Sequence, residues 1–167
     1  IDIVPVFNLY EEYWKIYTKS DTMPPQFIAE NARVERCIIG EGAEIYGCVM
    51  NSVIGPGVII EEGAEVHDSI IMQGTKIGKN TKIYKAIIAE STTVGENCNL
   101  GVGEYAESLY NKKIYAADLV TIGENSSIPD NVSIGKNTAI SGITVPEDYS
   151  NGKLVSGGYI IKAGEKR

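Results

Sequence analysis

KIGKNTKIYKAIIAESTTVGENCNL, Lys76 to Leu100, decides the fold. Aliphatic residues return in it at Ile77, Ile83, Ile88, Val94 and Leu100, at steps of six, five, six and six. A helix repeats its apolar face every three or four residues and a half-buried strand every two. A step of six is neither. Three residues after Ile77 stands Asn80, and three after Val94 stands Asn97. Asn and Gly tolerate a positive φ better than other residues do. The stretch therefore reads as short strands separated by left-handed corners.

The same unit recurs along the chain. Aliphatics open units at Ile28, Ile39, Ile54, Ile60, Ile71, Ile77, Ile88, Val94, Ile122, Ile128 and Ile134. The third residue on is Asn31, Gly42, Gly57, Gly63, Gly74, Asn80, Ser91, Asn97, Asn125, Asn131 or Asn137. All of these but Ser91 are Gly or Asn, and are expected to be left-handed corners. The fourth residue is small or β-branched throughout. A longer period of seventeen relates Ile54, Ile71 and Ile88, and relates Val49, Val66 and Ile83 to Leu100. Three strands and three corners thus make one turn of a triangular coil, and each coil stacks on the next.

This pattern specifies an all-β fold, a single-stranded left-handed parallel β-helix of hexapeptide repeats shaped as a triangular prism. Aliphatics fill its axis. Two Phe and one Trp in 167 residues agree with an interior too narrow for aromatic rings. On the five-residue side, Asn51-Ser52-Val53-Ile54, Asp68-Ser69-Ile70-Ile71 and Lys85-Ala86-Ile87-Ile88 align, so their small residues are expected to stack as a ladder. Lys76, Lys79, Lys82, Glu61, Glu62 and Glu65 fall between inward positions and read as a solvated outer face.

The periodicity stops once. Tyr105, Asn111 and Ala117 stand where inward residues belong and do not suit that role. Residues 101–119 read as an excursion about one coil long, expected at a domain or subunit contact. Its tyrosines either pack on the prism or meet a partner. At the start, NLYEEYWKIYT (Asn8 to Thr18) spaces Leu9, Tyr13, Ile16 and Tyr17 helically. Residues 1–27 form a helical or extended linker that caps the prism or carries the chain in from a preceding domain. Residues 28–167 form the β-helix, with Ile143/Val145, Leu154/Val155 and Ile160/Ile161 as short closing strands. IDIVPVF has no initiating Met, which points to a piece of a longer chain.

Net charge is −7, and no basic patch that would follow a phosphate backbone is evident, against a nucleic-acid partner. No apolar run reaches membrane-spanning length, against a membrane partner. Cys37, Cys48 and Cys98 have no metal-ligand spacing; an odd count in an acidic chain fits a reducing, cytoplasmic compartment, and all three read as interior residues. His67 is the one histidine, beside Asp68. It is the candidate general base of a hexapeptide acyltransferase, although neighbours on a strand point to opposite faces. One His cannot build a multi-His zinc site, so no metal is expected. No catalytic constellation is legible.

FNLYEEYWKIYT, PPQFI, NSVIGPGVII, DSIIMQGTKIGKN and KAIIAE together resemble the C-terminal region of bacterial glucose-1-phosphate adenylyltransferases (ADP-glucose pyrophosphorylases). The resemblance runs along nearly the whole chain. It implies a parent enzyme that joins ATP and glucose 1-phosphate into ADP-glucose and pyrophosphate, with Mg²⁺, in glycogen synthesis. The catalytic residues of that family lie in a preceding α/β domain, so no catalytic residue and no cofactor are expected in this segment. The implied partners are that N-terminal catalytic domain, further subunits in a homo-tetramer or a hetero-oligomer with a paralogue, and anionic metabolite effectors. GGYIIKAG is similar to a lysine-bearing stretch that binds such effectors in the family, which makes Lys162 the candidate effector contact. The alternatives are an acyltransferase using His67 and a non-catalytic regulatory paralogue.

Overall fold

The computed structural model describes Tyr13 and residues 22–162. The helix expected over Asn8 to Thr18 lies outside the described residues, Tyr13 apart. The described chain winds as a left-handed β-helix whose three walls are parallel sheets of six, seven and seven short strands. Wall A runs from Phe27–Ile28 through Glu44–Ile45, Ile59–Ile60, Lys76–Ile77 and Thr93–Val94 to Ser127–Ile128. Wall B runs from Arg33–Glu35 to Lys153–Leu154, and wall C from Ile38–Ile39 to Tyr159–Ile161.

Register follows the period of seventeen. Ile60 pairs Ile77 and Ile77 pairs Val94 on wall A; Val66 pairs Ile83 and Ile83 pairs Leu100 on wall B. The inward aliphatics therefore stack in three columns, and Ile54, Ile60, Ile71, Ile77, Ile83, Ile88, Leu100, Ile122 and Ile134 are essentially fully buried. Each contributes roughly 1.5–3 kcal/mol of transfer free energy. Ile45, six residues after Ile39, belongs to the same core at 0% exposed, and the step that follows it, to Val49, is four residues. The corner after it, Tyr46–Gly47, is two residues shorter than Glu61–Ala64 in the coil beneath, because Ile45 pairs Ile60 and Cys48 pairs Glu65. Ile28 opens its column at 46% exposed, since no earlier coil of the described chain lies over it.

Polar groups near the axis are satisfied between coils. The Thr75, Thr81 and Thr92 hydroxyls donate to the Ala89, Gly95 and Gly123 carbonyls at 2.9, 2.7 and 3.0 Å. The small-residue ladder carries its own bonds: Ser69 N–H donates to Ser52 Oγ at 3.1 Å, and Ala86 N–H to Ser69 Oγ at 3.0 Å. Cys98 is buried, whereas Cys37 and Cys48 are only partly so. Cys48 flanks the inward Val49 and so faces outward, a correction to the reading of three interior cysteines.

Gly42, Gly57, Gly63, Gly74, Asn80, Asn97, Asn125, Asn131 and Asn137 all have positive φ, as does Ser91. Most of these corners also close a bond to the coil before. Asn80, Asn97 and Asn131 donate their N–H to the Glu62, Lys79 and Glu96 carbonyls at 3.1, 2.8 and 2.8 Å. Asn31 is a correction: it is absent from the positive-φ residues. No described coil precedes it to take its N–H, and it stands over the shortened Tyr46–Gly47 corner, so nothing imposes the left-handed turn. A third set of corners, Arg36, Asn51, Asp68 and Lys85, has φ of 53°, 48°, 49° and 50°. It joins walls B and C and comes two residues after the inward aliphatic instead of three.

The expected cost of an L-residue at these corners is about 1–2 kcal/mol, relieved by Asn or Gly. Asn97→Ala should lower unfolding free energy by about 1 kcal/mol, and Ser91→Asn should raise it, both measured by chemical denaturation. Near the last coil, Tyr149 is 3% exposed and shares a 2.8 Å hydrogen bond with Thr144. Burial pushes its phenol up to about 12. The folded state then holds this proton more tightly than the unfolded chain. The stabilisation is fully present below pH 10 and is lost between about pH 10 and 12. Tyr149→Phe should flatten that alkaline loss in a pH series of thermal melts.

Candidate functional site

The excursion is a built arm, not a slack loop. Wall C passes directly from Ala86–Ile88 to Val120–Ile122 and wall B from Asn99–Val102 to Ser133–Gly135, so residues 103–119 add no coil to the stack. The chain leaves at Gly101, φ 83°, where a Cβ would collide with the Tyr84 carbonyl. The stretch between the Asn99–Val102 and Val120–Ile122 strands contains none of its own.

One buried side chain ties both limbs. Asn137, 1% exposed, donates its amide N–H to the Ala106 carbonyl at 2.8 Å on the outgoing limb. Its Oδ1 accepts the Asp118 N–H at 2.8 Å on the returning limb. Ala117 and Asp118 both take positive φ to make the return, which the spacing of the sequence did not mark. The Asp118 carboxylate lies 4.0 Å from Lys85 Nζ and 3.9 Å from Lys136 Nζ, and its Oδ1 is buried with no hydrogen-bond partner. Further along, Leu109 N–H donates to the Gly157 carbonyl at 2.8 Å.

One of the two fates left open above, packing on the prism, is seen for Tyr110. Tyr110 packs on Tyr159 of wall C with ring centroids 5.1 Å apart, and on Tyr115 at 5.7 Å. Tyr105 is 64% exposed and, with Leu109 and Ile114, gives the arm an apolar outer surface. Between the start of the arm and the last coils is an open groove of about 460 Å³. Val102, Tyr105, Leu154 and Val155 make it apolar, and Lys153 and Ser133 supply its polar side.

Lys162 sits at the end of the prism. Its backbone N–H donates to the Ser141 carbonyl at 2.8 Å. Its ammonium is 2.6 Å from Asp148 Oδ2, and both side chains are about three-quarters buried. The lysine, with the Val145 N–H, holds the Asp148 carboxyl below the usual carboxylate range. The candidate effector lysine is thus already occupied by an internal anion.

His67 does not form the expected dyad. Its nearest carboxylate is Glu65, at 3.8 Å from Nε2, and its ring stacks on Tyr84 with centroids 5.0 Å apart. Asp68 turns away at a left-handed corner and accepts a hydrogen bond from Asn51. Glu65 is itself engaged by Lys82 at 2.9 Å, which lowers its pKa first among the causes. The result is an outer-wall ion-pair ladder with Lys76–Glu61 at 2.8 Å, and nothing orients His67 as a base. Among the described residues no group of three or more His, Cys, Asp or Glu could hold a metal ion. These residues therefore do not fit the Mg²⁺ implied for the parent enzyme.

Residues 23–114 match the family described as GlmU-like, C-terminal hexapeptide. The chain belongs to that family. It is 68% identical over 165 residues to a protein of Lachnospira eligens named glucose-1-phosphate adenylyltransferase, covering 99% of this chain and 39% of that protein. A protein of the same name from Thermotoga neapolitana is 56% identical over 158 residues, 95% of this chain and 37% of its own length. The one from Acetivibrio thermocellus is 40% identical over 165 residues, 99% and 39%. The chain thus spans less than two-fifths of these relatives and corresponds to their C-terminal part. Among solved structures it is similar to the acetyltransferase domain of PglB from Neisseria gonorrhoeae FA1090, at 17% identity and a TM-score of 0.44, covering 83% of this chain and 55% of that one. A likeness that weak carries nothing about chemistry.

Asn137→Gly keeps the left-handed corner and deletes only the amide that ties the arm. The Asp118 N–H then has no acceptor, a loss of about 1–3 kcal/mol. Hydrogen exchange at Asp118 and Leu109 should accelerate, while the Ile77 and Ile83 amides deep in the prism keep their protection.

Proposed function

We propose that this chain is the C-terminal assembly and regulatory domain of a glucose-1-phosphate adenylyltransferase. The observation that carries the reading is the 68% identity over 99% of the chain to the matching part of a protein of that name. The geometry supports it in a second way. The prism is a stiff, stacked scaffold without an assembled acid–base pair or metal-ligand cluster among its described residues, and its apolar arm faces outward. Such a domain positions other parts of a protein. The chemistry belongs to a preceding catalytic domain, which joins ATP and glucose 1-phosphate with Mg²⁺ and releases pyrophosphate. Further subunits complete a tetramer, in the cytoplasm.

Lys162 is the contact for an anionic effector, and Asp148 is its internal competitor. The Lys162–Asp148 distance of 2.6 Å makes this a charge-assisted pair that an incoming phosphate or carboxylate has to displace. The two partners then have opposite effects. Lys162→Gln should raise the half-saturating concentration of an activating sugar phosphate by about tenfold, the loss of one charge-assisted contact. Asp148→Asn frees the lysine and should lower it.

The full-length polypeptide containing this chain should form ADP-glucose from ATP and glucose 1-phosphate in a coupled pyrophosphate assay, and residues 1–167 alone should not. A full-length protein without that activity, or turnover by the isolated chain, overturns the reading.

A further inference from the structure

The groove between the arm and the last coils is lined by polar groups that the fold does not use. Gly101 and Gly103, with φ of 83° and 91°, turn the chain off wall B, and the Asn137 amide on the Ala106 carbonyl brings it back. The gap left between is the groove of about 460 Å³, within the size range of small-molecule sites. The outward column of wall B that carries Met50, His67 and Tyr84 in earlier coils reaches Gly135 here, so no side chain from that position fills the space. Tyr105, 64% exposed, borders it from the arm.

In the other outward column of wall B, Asn99, Ser133 and Lys153 follow one another in register. Leu100 and Ile134 beside them are fully buried, so these three side chains point out. Among the described residues none of the three makes a side-chain hydrogen bond or ion pair. Nearer the start the same column is closed on itself, with Lys82 on Glu65 at 2.9 Å and Arg33 on Glu35 at 2.6 Å. Of the described lysines, Lys113 and Lys153 alone have no described carboxylate within 4.0 Å. Glu104, on the arm side of the groove, also has no ion pair among the described residues.

These groups define the ligand. One ammonium and one carboxylate leave the groove without net charge. A phosphate or dicarboxylate needs more than Lys153 to balance it, and Glu104 repels it. A purely apolar ligand strips water from Lys153, Ser133 and Glu104 and returns nothing. A hexose meets both demands. Its C–H face lies on an aromatic ring, whose face is apolar and electron-rich, and its hydroxyls both donate and accept. Ser133 and Lys153 stand one strand apart, roughly 4.8 Å, a spacing that hydroxyls of one ring or of adjoining rings can bridge.

We propose that this groove binds a neutral hexose oligosaccharide, with Tyr105 as the stacking platform and Lys153, Ser133 and Glu104 as the hydroxyl partners. Every group named lies within this chain, so the inference goes beyond the proposed function and does not rest on it. The test titrates maltotriose and cellotriose into the full-length polypeptide containing this chain, followed by saturation-transfer difference NMR. Saturation of at least one of them is expected, with a Kd of about 1–10 mM, as suits a ligand held on one face. Tyr105→Ala should weaken binding by about tenfold and Tyr105→Trp should retain it. Ser133→Ala should weaken it by about threefold. Leu109→Ala, exposed on the arm outside the groove, should leave it unchanged. Far-ultraviolet circular dichroism verifies that each variant is folded. No transfer to either trisaccharide, transfer that Tyr105→Ala does not weaken, or equal weakening by Leu109→Ala overturns the inference. So does tighter binding of trigalacturonate, which identifies an anion site, or displacement of the sugar by tetra-alanine at lower concentration, which identifies a peptide groove.

Discussion

The structure depends on one coupling: a left-handed backbone at most corners, whose N–H in most of them meets the carbonyl of the coil before. This turn bends the chain by the angle of a triangular prism while keeping each strand parallel to its neighbour below. In the first described coil residue type does not decide the corner: Asn31 lacks the positive φ and Arg36 has it. Further along, Lys85 and Ser91 take positive φ while their N–H groups donate to the His67 and Gln73 carbonyls at 3.2 and 2.9 Å. Tertiary pairing therefore outweighs a local penalty of about 1–2 kcal/mol. Asn and Gly lower that penalty; they do not create the turn.

The same balance explains what the sequence made legible. The columns of Ile54, Ile71, Ile88 and Val66, Ile83, Leu100 were readable because burial at the axis is strict and leaves a fixed period. Ile45 was not, because the short Tyr46–Gly47 corner after it removes two residues, so that Ile60 follows at fifteen instead of seventeen and Cys48 stands where Gly or Asn is expected. The corners at Arg36, Asn51, Asp68 and Lys85 were missed for a related reason. They come one residue early on the short side, and two of the four are long cations that carry no turn signal. The return of the arm through Ala117 and Asp118 left no signal at all, since Ala is a poor left-handed residue. Its conformation is set by Asn137, which is nineteen residues further on from Asp118.

Function was legible only through resemblance. Physical reading of His67 found a possible base, and the structure withdrew it by giving Asp68 to Asn51 and Glu65 to Lys82. The ring stacks on Tyr84 as part of an ordered outer wall. Lys162 is different in kind. Its burial and its 2.6 Å contact with Asp148 make it a charge held ready and already balanced. The cost of drawing its ammonium part-way out of water is offset within the fold by Asp148.

Successive coils are paired strand to strand along the walls, so the arm and the last coil with Lys162 belong to one stacked body. Asn137 anchors the arm in that body through both limbs. Tyr110 on Tyr159 then links the arm to the wall that ends at Ile161, one residue before Lys162. Lys162 thus follows directly on the last strand of wall C, and its N–H donates to Ser141 of the strand before. Asn137, which ties the arm, immediately precedes that same Thr138–Ser141 strand. The anchoring of the arm and the setting of Lys162 therefore depend on one pair of strands, Thr138–Ser141 and Tyr159–Ile161.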